Sequence, residues 1–146
     1  MIVVDASIAA KWMVEEPGRL DALKILDLQE EIVAPDLIVP EVASVFRKKV
    51  IRGEMTLAQA EAGLSAVGGL IGRFVPCAGL AMEAWALSRR LDHSVYDCFY
   101  LACAVPSARL VSADIRFVDK CRAAGFADIV LSPANVESLA SKSPLR

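Results

Sequence analysis

The sequence predicts one α/β domain in which a parallel sheet is flanked by helices, and three observations predict it. The chain opens on Ile2-Val3-Val4, a run of strong β propensity that ends on a carboxylate, Asp5, before the small residues that open a helix. Short apolar runs of this kind then alternate with segments of helical period, the pattern of β-α units in a parallel sheet. No repeat, low-complexity tract or linker divides the 146 residues, and 55% hydrophobic residues fill one core, so residues 1–146 are read as a single domain.

Each element has its own signal. A short helix runs from Ser7 to about Met13, with Ile8 and Trp12 on one face, and Glu15-Glu16-Pro17-Gly18 stops it. A second helix is expected from Arg19 to Leu28, with Leu20, Leu23, Ile25 and Leu26 as its apolar stripe. Ile32-Val33-Ala34 then forms a buried strand closed by Pro35. Pro40 precedes Glu41, and Val42, Val45, Phe46 and Val50 recur at helical spacing, which puts Glu41 in a first turn, where the helix dipole favours an acid. Gly53 ends that helix. Thr56 begins another to about Leu70, rich in small residues, so the two form a helical clip from about 41 to 71 that stands off the sheet.

Arg73 to Val75 reads as a strand, and Leu80, Ala84, Leu87 and Leu91 mark a helix from Gly79 to Leu91. The next helix, Ser94 to Ala104, is apolar almost all round apart from Asp97 in its first turn, so it must be buried. A strand from Arg109 to Ser112 leads to Asp114, a helix to about Ala124, and a last strand near Ile129-Val130-Leu131. The polar tail from Glu137 is expected to fray. Trp12, Phe46, Trp85, Phe99 and Phe117 fall on apolar faces and read as core, which leaves no platform for stacking bases.

Composition narrows the function. Every apolar stretch is too short to span a membrane, and no basic segment precedes the first strand, so a soluble cytoplasmic protein is expected. Cys77, Cys98, Cys103 and Cys121 show no zinc spacing and read as reduced. A net charge of −2 argues against gripping long nucleic acid by bulk electrostatics, while leaving room for a local basic patch. His93, the only histidine, lies in a polar turn, is expected to face solvent, and has no matched nucleophile, which excludes paired-histidine catalysis.

The acids carry the argument. Asp5 and Asp114 each follow a strand carboxyl end, and Glu41 and Asp97 each sit in the first turn of a helix. In a parallel α/β sheet those positions share one rim. Singly, each has a plainer reading as a helix cap or a dipole partner. Together they repel until a proton or cation relieves them, and a hard divalent ion, magnesium or manganese, suits a carboxylate set that must still admit a phosphate. Ser7 and Ser112 are caps or outer-shell residues holding water, and Asp36, Asp92 and Asp119 are spare acids nearby.

At these residues the chain resembles the PIN-domain nucleases, and among them the VapC-type toxins of toxin-antitoxin pairs. The resemblance rests on Val3-Val4-Asp5-Ala6-Ser7, Pro40-Glu41-Val42, Tyr96-Asp97-Cys98-Phe99-Tyr100-Leu101-Ala102 and Leu110-Val111-Ser112-Ala113-Asp114, in that order, and covers nearly the whole chain. It implies a three-layer α/β/α sandwich, a magnesium- or manganese-dependent ribonuclease with Asp5, Glu41, Asp97 and Asp114 as its acidic quartet, and a cognate antitoxin that blocks the site. Ser112 stands where the family often has threonine, and Arg116 where some members carry a further acid or amide, which weakens the case for a firmly held second ion. The expected chemistry is hydrolysis of an RNA phosphodiester by a metal-activated water.

Lys11, Arg47, Lys48 and Arg116 are the candidates for RNA phosphates, with Lys49 and Arg52 in the same basic run, although such a run is more often a solvated face. A receiver-like signalling domain would need an acidic pair at Ala6 and Ser7, which is missing. A housekeeping RNA-processing nuclease and a catalytically silent binding module of the same fold are the alternatives. The clip and the high apolar content lead to the expectation of an antitoxin segment across its groove and of a homodimer.

Overall fold

A computed structural model of the chain describes residues 1–140. The elements follow the order β1 (Ile2–Val4), α1 (Ala6–Met13), α2 (Arg19–Asp27), β2 (Ile32–Pro35), α3 (Ile38–Ile51), α4 (Leu57–Leu70), β3 (Arg73–Val75), α5 (Ala81–Leu91), α6 (Val95–Ala104), β4 (Arg109–Val111), α7 (Ile115–Cys121), β5 (Val130–Leu131) and α8 (Glu137–Ala140). The five strands are all parallel, in the order β3-β2-β1-β4-β5. Right-handed crossovers then put α1 to α4 on one face and α5 to α7 on the other, which makes a three-layer sandwich.

The first strand made is the central one. The chain leaves β1 in one direction to build β2 and β3, then crosses over to build β4 and β5 on the other side. The gap between β1 and β4 is therefore the topological switch point, where open α/β sheets bind their ligands. Register sharpens this: Val4 pairs with Val111, so the next residues, Asp5 and Ser112, lie side by side at the carboxyl edge. The sheet is sealed by residues such as Val3, Val4, Val33 and Leu110, none more than 1% exposed. Helix α6 packs against β1, β2 and β4 with Cys98, Leu101 and Ala104 fully buried, as an apolar helix requires.

Several expectations need correction. Helix α3 begins at Ile38, so the clip starts earlier than residue 41; Pro40 is its third residue, where no intrahelical amide bond is forfeited. The first intrahelical bond is the Glu41 amide to the Leu37 carbonyl, at 3.1 Å. The clip meets the rest of the molecule through α1. A side chain built at Gly63 of α4 would meet Phe46 at 3.1 Å and Met13 of α1 at 3.2 Å, so the missing Cβ lets α4 lie directly on both helices. Leu20 and Trp85 are exposed, at 77% and 57%, because each stands beside the stripe of its helix and not on it. The tail is tied down as far as α8 by Val136 in the core and by an ion pair from Lys24 to Glu137 at 2.8 Å; the rest of it lies outside the described residues. All four cysteines are free, and among the described residues no helix is long and apolar enough to cross a membrane.

Candidate metal centre

Asp5 caps α1, its Oδ1 accepting the Ile8 amide at 3.1 Å and the Ser7 hydroxyl at 2.5 Å. Ser7 Oγ in turn accepts the Ala113 amide at 3.1 Å, which ties the end of β1 to the loop that follows β4. Asp114 repeats the device. It caps α7 by accepting the Phe117 amide at 3.2 Å, while its own amide donates to Ser112 Oγ at 3.1 Å. Ser7 and Ser112 are thus braces at the carboxyl edge and not caps, each engaging one of the strand-end acids.

Asp97 and Glu41 complete the set from opposite helical layers. Burial pushes Asp5 up to about 6; hydrogen bonds from Ser112, Ser7 and the Ile8 amide pull it back, and the charge of Asp97 adds to the rise. Glu41 is pushed up to about 7, first by burial and then by the charges of Asp97 and Asp5. These couplings mark Asp5, Glu41 and Asp97 as neighbours in a poorly solvated space. Glu41 Oε1 is buried and has no hydrogen-bond partner. Tyr100 is fully buried, and its unpartnered hydroxyl is kept protonated by burial and by the charges of Glu41, Asp5 and Asp97. That hydroxyl lies near enough to offset part of the rise at Glu41 without reaching hydrogen-bond geometry.

His93 does not face solvent, contrary to the sequence reading. Its Nε2 lies 2.6 Å from Asp97 Oδ2, and its ring stacks on Phe117 with centroids 4.8 Å apart. The Ser88 hydroxyl donates to the His93 carbonyl at 2.6 Å and fixes the turn. Ligand atoms of His93, Asp97 and Asp114 all lie within 4.8 Å of one another. The sequence signal that could have found His93 is its spacing of four residues before Asp97.

Around the acids the surface is grooved. Glu41 and Asp97 line a cavity of about 400 Å³, and Ser7 and Asp114 line a second of about 390 Å³. Lys48 and Val45 border both, so the two meet along α3. Lys48 is exposed and forms no ion pair among the described residues, whereas Lys11 is held by Glu16 at 3.1 Å and the Pro17 carbonyl at 2.9 Å. Lys49 is likewise held by Glu16, at 2.6 Å. Arg52 lines the second cavity, but Arg47 turns away and lines the groove between α3 and α4; Arg116 is exposed beside Asp114 and borders neither cavity.

The spare acids have other duties. Asp36 accepts the Cys77 amide at 3.1 Å, Asp92 ends α5 with φ 47°, and Asp119 is exposed on α7.

Comparison with known proteins bears on the fold and the family. The PIN domain family matches residues 2–123. The crystal structure of PAE2754 from Pyrobaculum aerophilum superimposes with a TM-score of 0.70 at 19% identity, over 97% of this chain and 96% of that one. A search of curated proteins returned no significant match.

Proposed function

Since the chain belongs to the PIN-domain family, whose members are in general metal-dependent nucleases, we propose that it is a magnesium- or manganese-dependent endoribonuclease and the toxin of a toxin-antitoxin pair. The observation that carries the reading is Glu41 Oε1, a buried carboxylate oxygen without a partner in a space already charged by Asp97 and Asp5. A cation relieves all three at once, and the carboxylate oxygens and one imidazole facing this space are a donor set for a divalent ion. Asp5, Glu41, Asp97 and Asp114 would hold it. When bound, such an ion lowers the pKa of water and offsets charge developing on a phosphate.

The chain's own residues do the rest. The Ser7 hydroxyl and the Ile8 amide engage Asp5 Oδ1 and so orient the carboxylate. Glu41, whose Oε1 has no hydrogen-bond partner, would position the attacking water or help hold the ion. Lys48, between the two cavities, and Arg52 steer the phosphate backbone.

The toxin reading is supported by the apolar groove between α3 and α4, a cavity of about 450 Å³ lined by Phe46, Val50, Leu57 and Leu64, with Arg47 and Glu61 at its margin. An antitoxin segment with an apolar face fits it. Met82 and Trp85, 80% and 57% exposed on α5, supply an apolar face for a homodimer.

The test is cleavage of a mixed RNA pool by antitoxin-free protein with magnesium or manganese, beside EDTA. Cleavage that EDTA abolishes is expected. No cleavage of any RNA by the metal-loaded protein would leave a silent binding module of the same fold.

A further inference from the structure

We propose that His93 is a nitrogen ligand of the divalent ion, so that the centre is a mixed imidazole-carboxylate site favouring manganese and later first-row ions over magnesium. This rests on the metal site proposed above and adds the identity of a ligand and the selectivity it brings.

The geometry comes first. An ion with donors about 2.1 Å away spaces neighbouring ligand atoms by about 3 Å and opposite ones by about 4.2 Å. His93 Nε2 and Asp97 Oδ2 are 2.6 Å apart, and with the Asp114 oxygen the whole set stays within 4.8 Å. Shifts of a few tenths of an ångström bring these atoms onto one ion, which then replaces the hydrogen bond now joining Nε2 to Oδ2.

The imidazole is also preorganised. Its side chain is 14% exposed, its ring is clamped on Phe117, and its main chain is bonded on both sides to Ser88, through the amide at 3.2 Å and the carbonyl at 2.6 Å. Phe117 follows Asp114 by three residues and donates its amide to it, so one short segment fixes both the oxygen ligand and the plane of the ring. Two further groups mark the space as made for a ligand. Tyr100, 0% exposed, and Glu41 Oε1 both lack partners beside these acids. Carboxylates alone suit magnesium; an imidazole nitrogen moves preference towards manganese, cobalt, nickel or zinc.

Manganese added to metal-free, untagged protein and followed by pulsed electron paramagnetic resonance tests this directly, since manganese is itself the spectroscopic probe. The expected result is coupling to one nitrogen that changes character when the protein is grown with ¹⁵N-histidine, a label that can report only His93. Manganese that binds without nitrogen coupling overturns the inference and leaves the metal site standing. No binding of manganese overturns the metal site itself. In His93→Gln, manganese affinity is expected to fall about tenfold with magnesium affinity little changed; equal loss of both overturns the selectivity.

Discussion

The strand side and the helix side of the acid cluster are built by different means. Asp5 and Asp114 sit where strands hand over to helices, and each satisfies an orphan amide of the helix it caps. Their carboxylates are oriented by the fold whether or not anything is bound. Glu41 and Asp97 come in from α3 and α6, and neither caps its helix. Asp97 leans on His93, and Glu41 has an oxygen with no partner at all. One half of the site is thus oriented by helix capping, and the other depends on contacts between segments and leaves Glu41 Oε1 without a partner.

The largest expected effect breaks the finished half chemically while sparing it structurally. Asp5→Asn removes a charge that the ion needs but keeps a side chain that caps α1 equally well, so RNA cleavage is expected to fall more than about 100-fold with no loss of thermal stability in EDTA. A parallel fall in melting temperature would show that Asp5 is chiefly structural.

The crowding of the acids is legible in pH, with one member from each side. Asp5 and Glu41 are pushed up to about 6 and about 7 from ordinary values of 3.8 and 4.5, so between those limits the folded protein holds protons that the unfolded chain has released. Stability of the metal-free protein therefore declines as pH rises through that window. Glu16 and Asp36, whose carboxyls are held below their ordinary range, act in the opposite sense but at lower pH. A thermal melt in EDTA is expected to drop by on the order of 5 °C between pH 5 and pH 8, and saturating manganese is expected to restore most of it. A flat profile would place the two acids in open solvent.

Ser7→Ala sharpens the contrast on the strand side, because it removes a donor to Asp5 and strands the Ala113 amide. Chemical denaturation is expected to register about 1–2 kcal/mol. The smallest effect separates the two faces of α3. Lys48→Ala is expected to weaken RNA binding several-fold and lower the salt slope by about one, while Arg47→Ala changes neither; filter binding at several salt concentrations reads both.

Much of this was legible in the residues, for local reasons. Asp5, Asp114 and the first-turn position of Glu41 follow from strand ends and caps, which depend on a handful of neighbours. What was misread depends on geometry between segments. The burial of His93, in the turn between α5 and α6, comes from Phe117 of α7, and no periodicity reports that stacking. Trp85 reads as core from the amphipathic pattern of α5, yet it stands beside Ala84, which is fully buried, and so points away from the stripe. Arg47 and Lys48 belong to one basic run in the sequence, but adjacent helical residues diverge by about 100° and these two face different grooves.

The bond from the Ala113 amide to the Ser7 hydroxyl spans 106 residues, and its consequence reaches into synthesis. Asp5 is translated almost at once, but its neighbours in space, Ser112 and Asp114, leave the ribosome only when most of the polypeptide has been made. Until β4 slots in beside β1, the carboxylates are beads on an unfinished string. The order of synthesis therefore makes the meeting of β1 and β4 the last step in assembling the acid cluster, whatever the rest of the chain has already folded into.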